Sequence, residues 1–155
     1  MRKRLGLCII VCLVVVICIV CFNSNTKVPD EVEQLYITYI ETIKSDYVKA
    51  VNEYCYFEVP IIKELTEQST EYITEYQILG WRQLSDQLWV VNTFFKTAFI
   101  PDGETMFNFV GIIDGQYYVM LNAYQVPSQL QENLDLSEYI PANAIPYENV
   151  VGLLG

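Results

Sequence analysis

Residues 105–126 read "TMFNFVGIIDGQYYVMLNAYQV", and the fold turns on how this stretch is read. Asp114-Gly115 is the strongest short hairpin signal in the chain, because a two-residue turn of this type needs φ > 0 at both central positions. The flanks are rich in Phe, Val, Ile and Tyr, which suit a pleated, buried surface. With a two-residue loop, residues whose numbers sum to 229 face each other. Val110 then opposes Val119, Asn108 opposes Leu121, and Phe107 opposes Asn122. The returning strand is expected to run from Gln116 until Pro127 ends it.

Upstream, "PDGE" (101–104) reads as a turn, and "QLWVVNTFFKTAFI" (87–100) reads as a strand that is apolar on both faces. "TEYITEYQILGWRQL" (70–84) alternates in part and reads as a further strand. These segments predict four consecutive antiparallel strands. Before them the texture is helical. Val32, Leu35, Tyr36, Tyr39, Ile40 and Ile43 recur at steps of three and four. Pro29 suits the first turn of a helix, and Asp30, Glu31 and Glu33 suit its positive end. A helix is therefore expected over 29–44. A second is expected after Ser45 as its cap, with Tyr47, Val48, Val51, Tyr54 and Cys55 on one stripe, and a short third from Pro60. Helices followed by a run of short-looped strands predict an α+β domain, with two to three helices packed on an antiparallel sheet. The remaining segment, 128–155, is expected to make one helical turn near 128–134 and then run irregularly over the surface.

At the other end stands "MRKRLGLCIIVCLVVVICIVCFNSN" (1–25). Leu5 to Phe22 is uncharged and, as a helix, spans about 27 Å, close to the ~30 Å hydrocarbon core. Arg2, Lys3 and Arg4 precede it and are expected to stay cytoplasmic, which puts the rest of the chain outside. No small-residue pair marks a cleavage site. Bulky residues precede Cys18 and Cys21, unlike the small residues of a lipoprotein leader. A retained transmembrane anchor over 1–22 is the preferred reading, with a lipoprotein or a cleaved leader as alternatives. A polar linker (23–28), the main domain (29–127) and the tail (128–155) complete the expected organisation.

Composition narrows function. Beyond Phe22 there are 19 acidic and 6 basic residues, a net charge of −13. Such a surface repels phosphate backbones, so no nucleic-acid partner is expected. There is no histidine, which removes the commonest general base and the usual zinc ligand. Four of the five cysteines lie inside the leader. The fifth, Cys55, cannot bridge itself and is expected to fill core. Glu64, Glu67, Glu71 and Glu75 would form an acidic ridge on a continuous helix, but they lack the loop spacing of a calcium hand and read as a solvated face.

The stretches "YITYIETIKSDYVKAVNEYCYFE" (36–58), "EYQILGWRQLSDQLWVVNTFFKT" (75–97) and "FNFVGIIDGQYYVMLN" (107–122) resemble the helices and long strands of the nuclear transport factor 2-like superfamily. That resemblance covers residues 29–127. It implies a sheet curved into a cone around a pocket closed by the helices, in a small exported bacterial protein behind a membrane anchor. The family hosts enzymes and binders alike, and no family catalytic residue matches by motif, so no catalytic residue, metal or cofactor is assigned. Pocket candidates are Asn92, Asn108, Asn122, Trp89 and Tyr118, each weighed against core packing or backbone satisfaction. The expected function is a membrane-anchored extracytoplasmic domain, touching the bilayer through residues 5–22, that binds a protein partner, a second copy or a small ligand. The alternatives are a pocket enzyme of isomerase or dehydratase type using Tyr and Asp/Glu, and a structural accessory to an envelope assembly.

Overall fold

The computed structural model describes residues 28–67 and 72–141. The expected anchor (1–22), most of the linker, Glu71 and the end of the tail lie outside the described residues. Among those described, no helix is long and apolar enough to cross a membrane.

Three helices come first: α1 (Asp30–Ile43), α2 (Tyr47–Tyr54) and α3 (Pro60–Glu67). Helix α1 buries Val32, Tyr36, Tyr39, Ile40 and Ile43, the stripe its spacing predicts except for the half-buried Leu35, and its first turn carries the three acidic residues. Helix α2 is capped by Asp46, whose side chain accepts a hydrogen bond from the Lys49 backbone N–H at 2.9 Å. This corrects the expected cap by one residue. Ser45 instead donates its hydroxyl to the Thr42 carbonyl, closing the end of α1.

Four strands follow in an antiparallel meander of order β1-β2-β3-β4: β1 (Ile73–Ser85), β2 (Leu88–Thr97), β3 (Glu104–Ile113) and β4 (Gln116–Met120). The β3–β4 turn is the expected one, with Asp114 at φ 53° and Gly115 at φ 80°, and Val110 faces Val119. The central strand β2 is buried along almost its whole length, because both faces of the sheet are covered. On one face, α1 and Ala50 of α2 pack against Trp89, Val91, Val110 and Val119. On the other, here called the outer face, Leu88, Val90, Phe109, Ile113 and Met120 are covered by Ala123, Val126, Leu130, Leu136 and Tyr139.

Two expectations are corrected here. The returning strand stops at Met120 rather than running to Val126, because polar side chains take over the backbone groups a longer ladder would need. Asn122 Oδ1 accepts from the Tyr124 and Gln125 N–H groups, and Gln125 Oε1 accepts from the Leu121 N–H at 2.7 Å. A 3₁₀ turn (Ala123–Gln125) replaces the strand end, so Phe107 and Asn122 do not pair. The tail makes the helical turn expected near 128–134, but up to Ile140 it does not run irregularly over the surface. Two further 3₁₀ turns, Ser128–Leu130 and Ser137–Tyr139, place Leu130, Leu136 and Tyr139 in the core, where Tyr139 meets Phe107 and Phe109 edge-on at 5.2 and 5.7 Å. Glu64 and Glu75 are exposed, in keeping with the reading of the glutamate series as a solvated face. Glu64 and Glu67 lie on α3, and Glu75 lies on β1, paired with Lys96 at 3.0 Å.

The two edges of the sheet differ. Beside β4, the Tyr56 N–H donates to the Val119 carbonyl and Cys55 bridges Val119, covering that edge in part. Strand β1 is the open edge. Its register breaks between Ile73 and Glu75, between Ile78 and Gly80, and between Gln83 and Ser85, and such bulges blunt an edge against further strand addition.

Candidate functional site

Strand alternation sorts the five candidate residues by face, since successive side chains of a strand point to opposite sides. Trp89 and Asn108 point toward α1: Trp89 belongs to the helix-side cluster, and Asn108 meets Tyr36. Asn92 and Tyr118 fall on the outer face, in the alternate positions of β2 and β4, with Tyr118 packed against the outer cluster. Asn122 has left the sheet and caps the turn that follows it. The five therefore do not converge on one pocket.

Asn108 lies at the centre of a polar network that sequence reading did not find. Tyr36, wholly buried on α1, donates its hydroxyl proton to Asn108 Oδ1 at 2.7 Å. Asn108 Nδ2 donates to the Leu121 carbonyl at 2.9 Å, which fixes the orientation of the amide. The phenol proton is thus committed to Asn108, so the Thr93 hydroxyl, 2.8 Å away, is the donor to the Tyr36 oxygen. One helix residue and two strand residues satisfy one another, with Thr93 and Asn108 almost fully buried. Burial, the largest cause, pushes the Tyr36 phenol well above the usual tyrosine range, against the lowering effect of the Thr93 hydrogen bond. Tyr36 stood in the predicted apolar stripe, but a helical period carries no information about which strand hydroxyl or amide it meets.

Trp89 packs beside Tyr117 with ring centroids 6.4 Å apart, and Trp81 sits edge-on to Tyr36 at 5.5 Å. Among the described residues, the buried Trp81 Nε1, Trp89 Nε1 and Asn92 Oδ1 have no hydrogen-bond partner. The two indoles point to the helix side and the amide to the outer side, so these atoms form no common binding set. An open groove of about 580 Å³ runs along the solvent face of α1 into α2, lined in part by Thr38, Glu41, Thr42 and Asp46. Its hydroxyls serve the helix itself: Thr38 donates to the Gln34 carbonyl and Thr42 to the Thr38 carbonyl, each at 2.7 Å. Among the described residues no three His, Cys, Asp or Glu side chains cluster as metal ligands.

Cys55 fills core just past the end of α2, as expected. Burial pushes its thiol up to about 12, with a hydrogen bond to Tyr39 acting the other way. Burial also raises the Tyr39 phenol well above its ordinary value, with Cys55 the next cause. Both groups are therefore neutral in the folded chain at pH 7. The unfolded chain ionises them near 9 and 10, so the folded state is at its full advantage below about pH 9. That advantage shrinks as pH rises through the folded value of about 12 for Cys55. Urea unfolding midpoints are expected to be level from pH 7 to 8 and to fall from pH 9 upward. A thiol reagent such as dithionitrobenzoate is expected to leave Cys55 unlabelled in the native chain at pH 8 and to label it fully in urea. Rapid native labelling would contradict the buried thiol.

Comparison with protein-family models, with curated proteins and with solved structures returned no match to this chain.

Proposed function

We propose that the protein is a membrane-tethered, extracytoplasmic, non-catalytic domain that binds a protein partner through its outer surface rather than a small ligand in its interior. One observation carries this reading: Tyr36, Thr93 and Asn108 use their polar atoms on one another at the helix–sheet interface, where a ligand or substrate would need them free. The tether is the uncharged run Leu5–Phe22 behind Arg2, Lys3 and Arg4, supported by its length and by the charge on its cytoplasmic flank. The resemblance to nuclear transport factor 2-like domains belongs to the same proposal. It is supported at the level of element order, helices before a four-stranded meander. The cone-like curvature that the family implies is supported by the three register breaks in β1, since bulges bend a strand and increase its twist.

The test is fractionation with protease shaving of intact cells, followed by native mass spectrometry of the full chain in detergent. The chain is expected to sediment with membranes, to be degraded from outside beyond the linker, and to carry no small molecule into the gas phase. Recovery in the soluble cytosolic fraction would overturn the tether, and a stoichiometric co-purified small molecule would overturn the closed interior.

A further inference from the structure

The loop between β2 and β3 lies at the far end of the domain from the point where the chain enters α1. Tyr36 lies level with Trp81, Thr93 and Asn108. Further along α1, the Lys44 ammonium sits 5.8 Å over the ring of Tyr76. Helix α1 therefore runs from the Ser85–Leu88 end of the first two strands toward their Ile73–Thr97 end. The loop begins just beyond Thr97, so it projects away from Asp30.

This tip presents Phe99, 75% exposed, the most exposed of the large apolar side chains described. Ala98 and Pro101 beside it are exposed. Tyr72, 45% exposed, immediately precedes Ile73 of the terminal Ile73–Thr97 pair. The loop is held by its own hydrogen bonds. Thr97 Oγ1 accepts from the N–H groups of Phe99 and Ile100 at 3.2 and 3.0 Å, and the Gly103 N–H donates to the Ile100 carbonyl at 3.1 Å. An aromatic side chain on a pinned loop loses little freedom on binding, which is what an interface anchor requires.

Charge selects the occupant. Asp102 and Glu104 are exposed beside Phe99, and neither takes part in an ion pair among the described residues. The cations at this end are already engaged, Lys96 by Glu75 at 3.0 Å and Lys44 by Glu41 at 3.1 Å. A second copy docked tip to tip would bring the same two carboxylates against themselves, and an anionic lipid surface is repelled for the same reason. We propose that the Phe99 tip docks into an apolar socket rimmed by Lys or Arg side chains on a protein partner. The inference rests on the binding-domain reading above and assigns it a surface.

The experiment places the photo-crosslinker p-benzoylphenylalanine in the full chain in its own membranes, at Phe99 in one version and at Leu79 or Val48 in two others. Both control positions are exposed, at 50% and 45%, but lie on β1 and α2. Irradiation is expected to give one discrete protein adduct at position 99, about tenfold stronger than at 79 or 48. Combining it with Asp102→Lys and Glu104→Lys is expected to weaken the adduct by about tenfold, since like charges placed across an interface suppress binding. An adduct of twice the chain mass, an adduct to lipid, or one indifferent to the charge reversals would overturn the proposal. Adducts at 79 or 48 but not at 99 would overturn the tip while leaving the binding-domain reading standing. Absence of adducts at all three positions would sink both.

Discussion

A chain ending at Pro127 is expected to lose cooperative unfolding altogether. Sequence periodicity places the domain boundary there, yet Leu130, Leu136 and Tyr139, each no more than 7% exposed, cover the outer face of the sheet. Burying such a side chain is worth about 1.5–3 kcal/mol, so the three together contribute roughly 5–9 kcal/mol, an upper estimate because unfolded chains already bury some apolar surface. A domain of this size has a total stability of about 5–15 kcal/mol. Truncation also uncovers Leu88, Phe109 and Met120, all fully buried in the intact chain. Tryptophan fluorescence against urea checks this. The intact chain should give one sigmoidal transition and the truncated chain a gradual drift. A truncated chain with an unchanged midpoint would refute the assignment of the tail to the core.

The second large effect lies on the helix side of the sheet. Tyr36→Phe removes one hydroxyl and leaves Asn108 Oδ1 without its donor and the Thr93 hydroxyl without its acceptor, both in a region almost closed to water. Leaving buried polar groups unpaired costs about 1–3 kcal/mol. Asn108→Leu should cost a similar amount, because the Leu121 carbonyl loses its donor. The double variant removes both members of the central pair and should be less destabilised than the sum of the single variants by about 0.5–3 kcal/mol, the range for groups in direct contact. Strict additivity in urea unfolding would mean that the two groups do not form the bond that ties α1 to β3. The network also sets helix position, because a shift of α1 along the sheet would move the Tyr36 hydroxyl away from both partners.

Much of the architecture was legible in local pattern. The Asp114-Gly115 turn, the apolar spacing of α1, and the two-faced apolarity of β2 each follow from interactions between near neighbours or from a fixed period of side-chain direction. The end of β4 was misread for an equally local reason. Asn122 and Gln125 carry the side chains that terminate a ladder, but they sit within an apolar run whose strand propensity dominated the reading. The candidate site was barely legible. The Asn residues chosen for their apolar neighbours proved to be an internal partner of Tyr36, an outer-face residue and a turn cap, because strand alternation and chain departure decide orientation independently of composition.

By itself the sequence determined the class of the domain, helices then an antiparallel meander, along with its acidity, its lack of histidine and its single cysteine beyond the leader. These depend on periodicity, turn chemistry and composition, which act over a few residues at a time. Only the tertiary structure decided that the segment after Pro127 closes the second face of the sheet, that Tyr36 reaches Thr93 and Asn108, and that Phe99 stands exposed on a pinned loop at the end opposite α1's start. Those outcomes bring together residues up to 72 positions apart, and such pairings are selected by how whole faces fill space, which no local window of sequence contains.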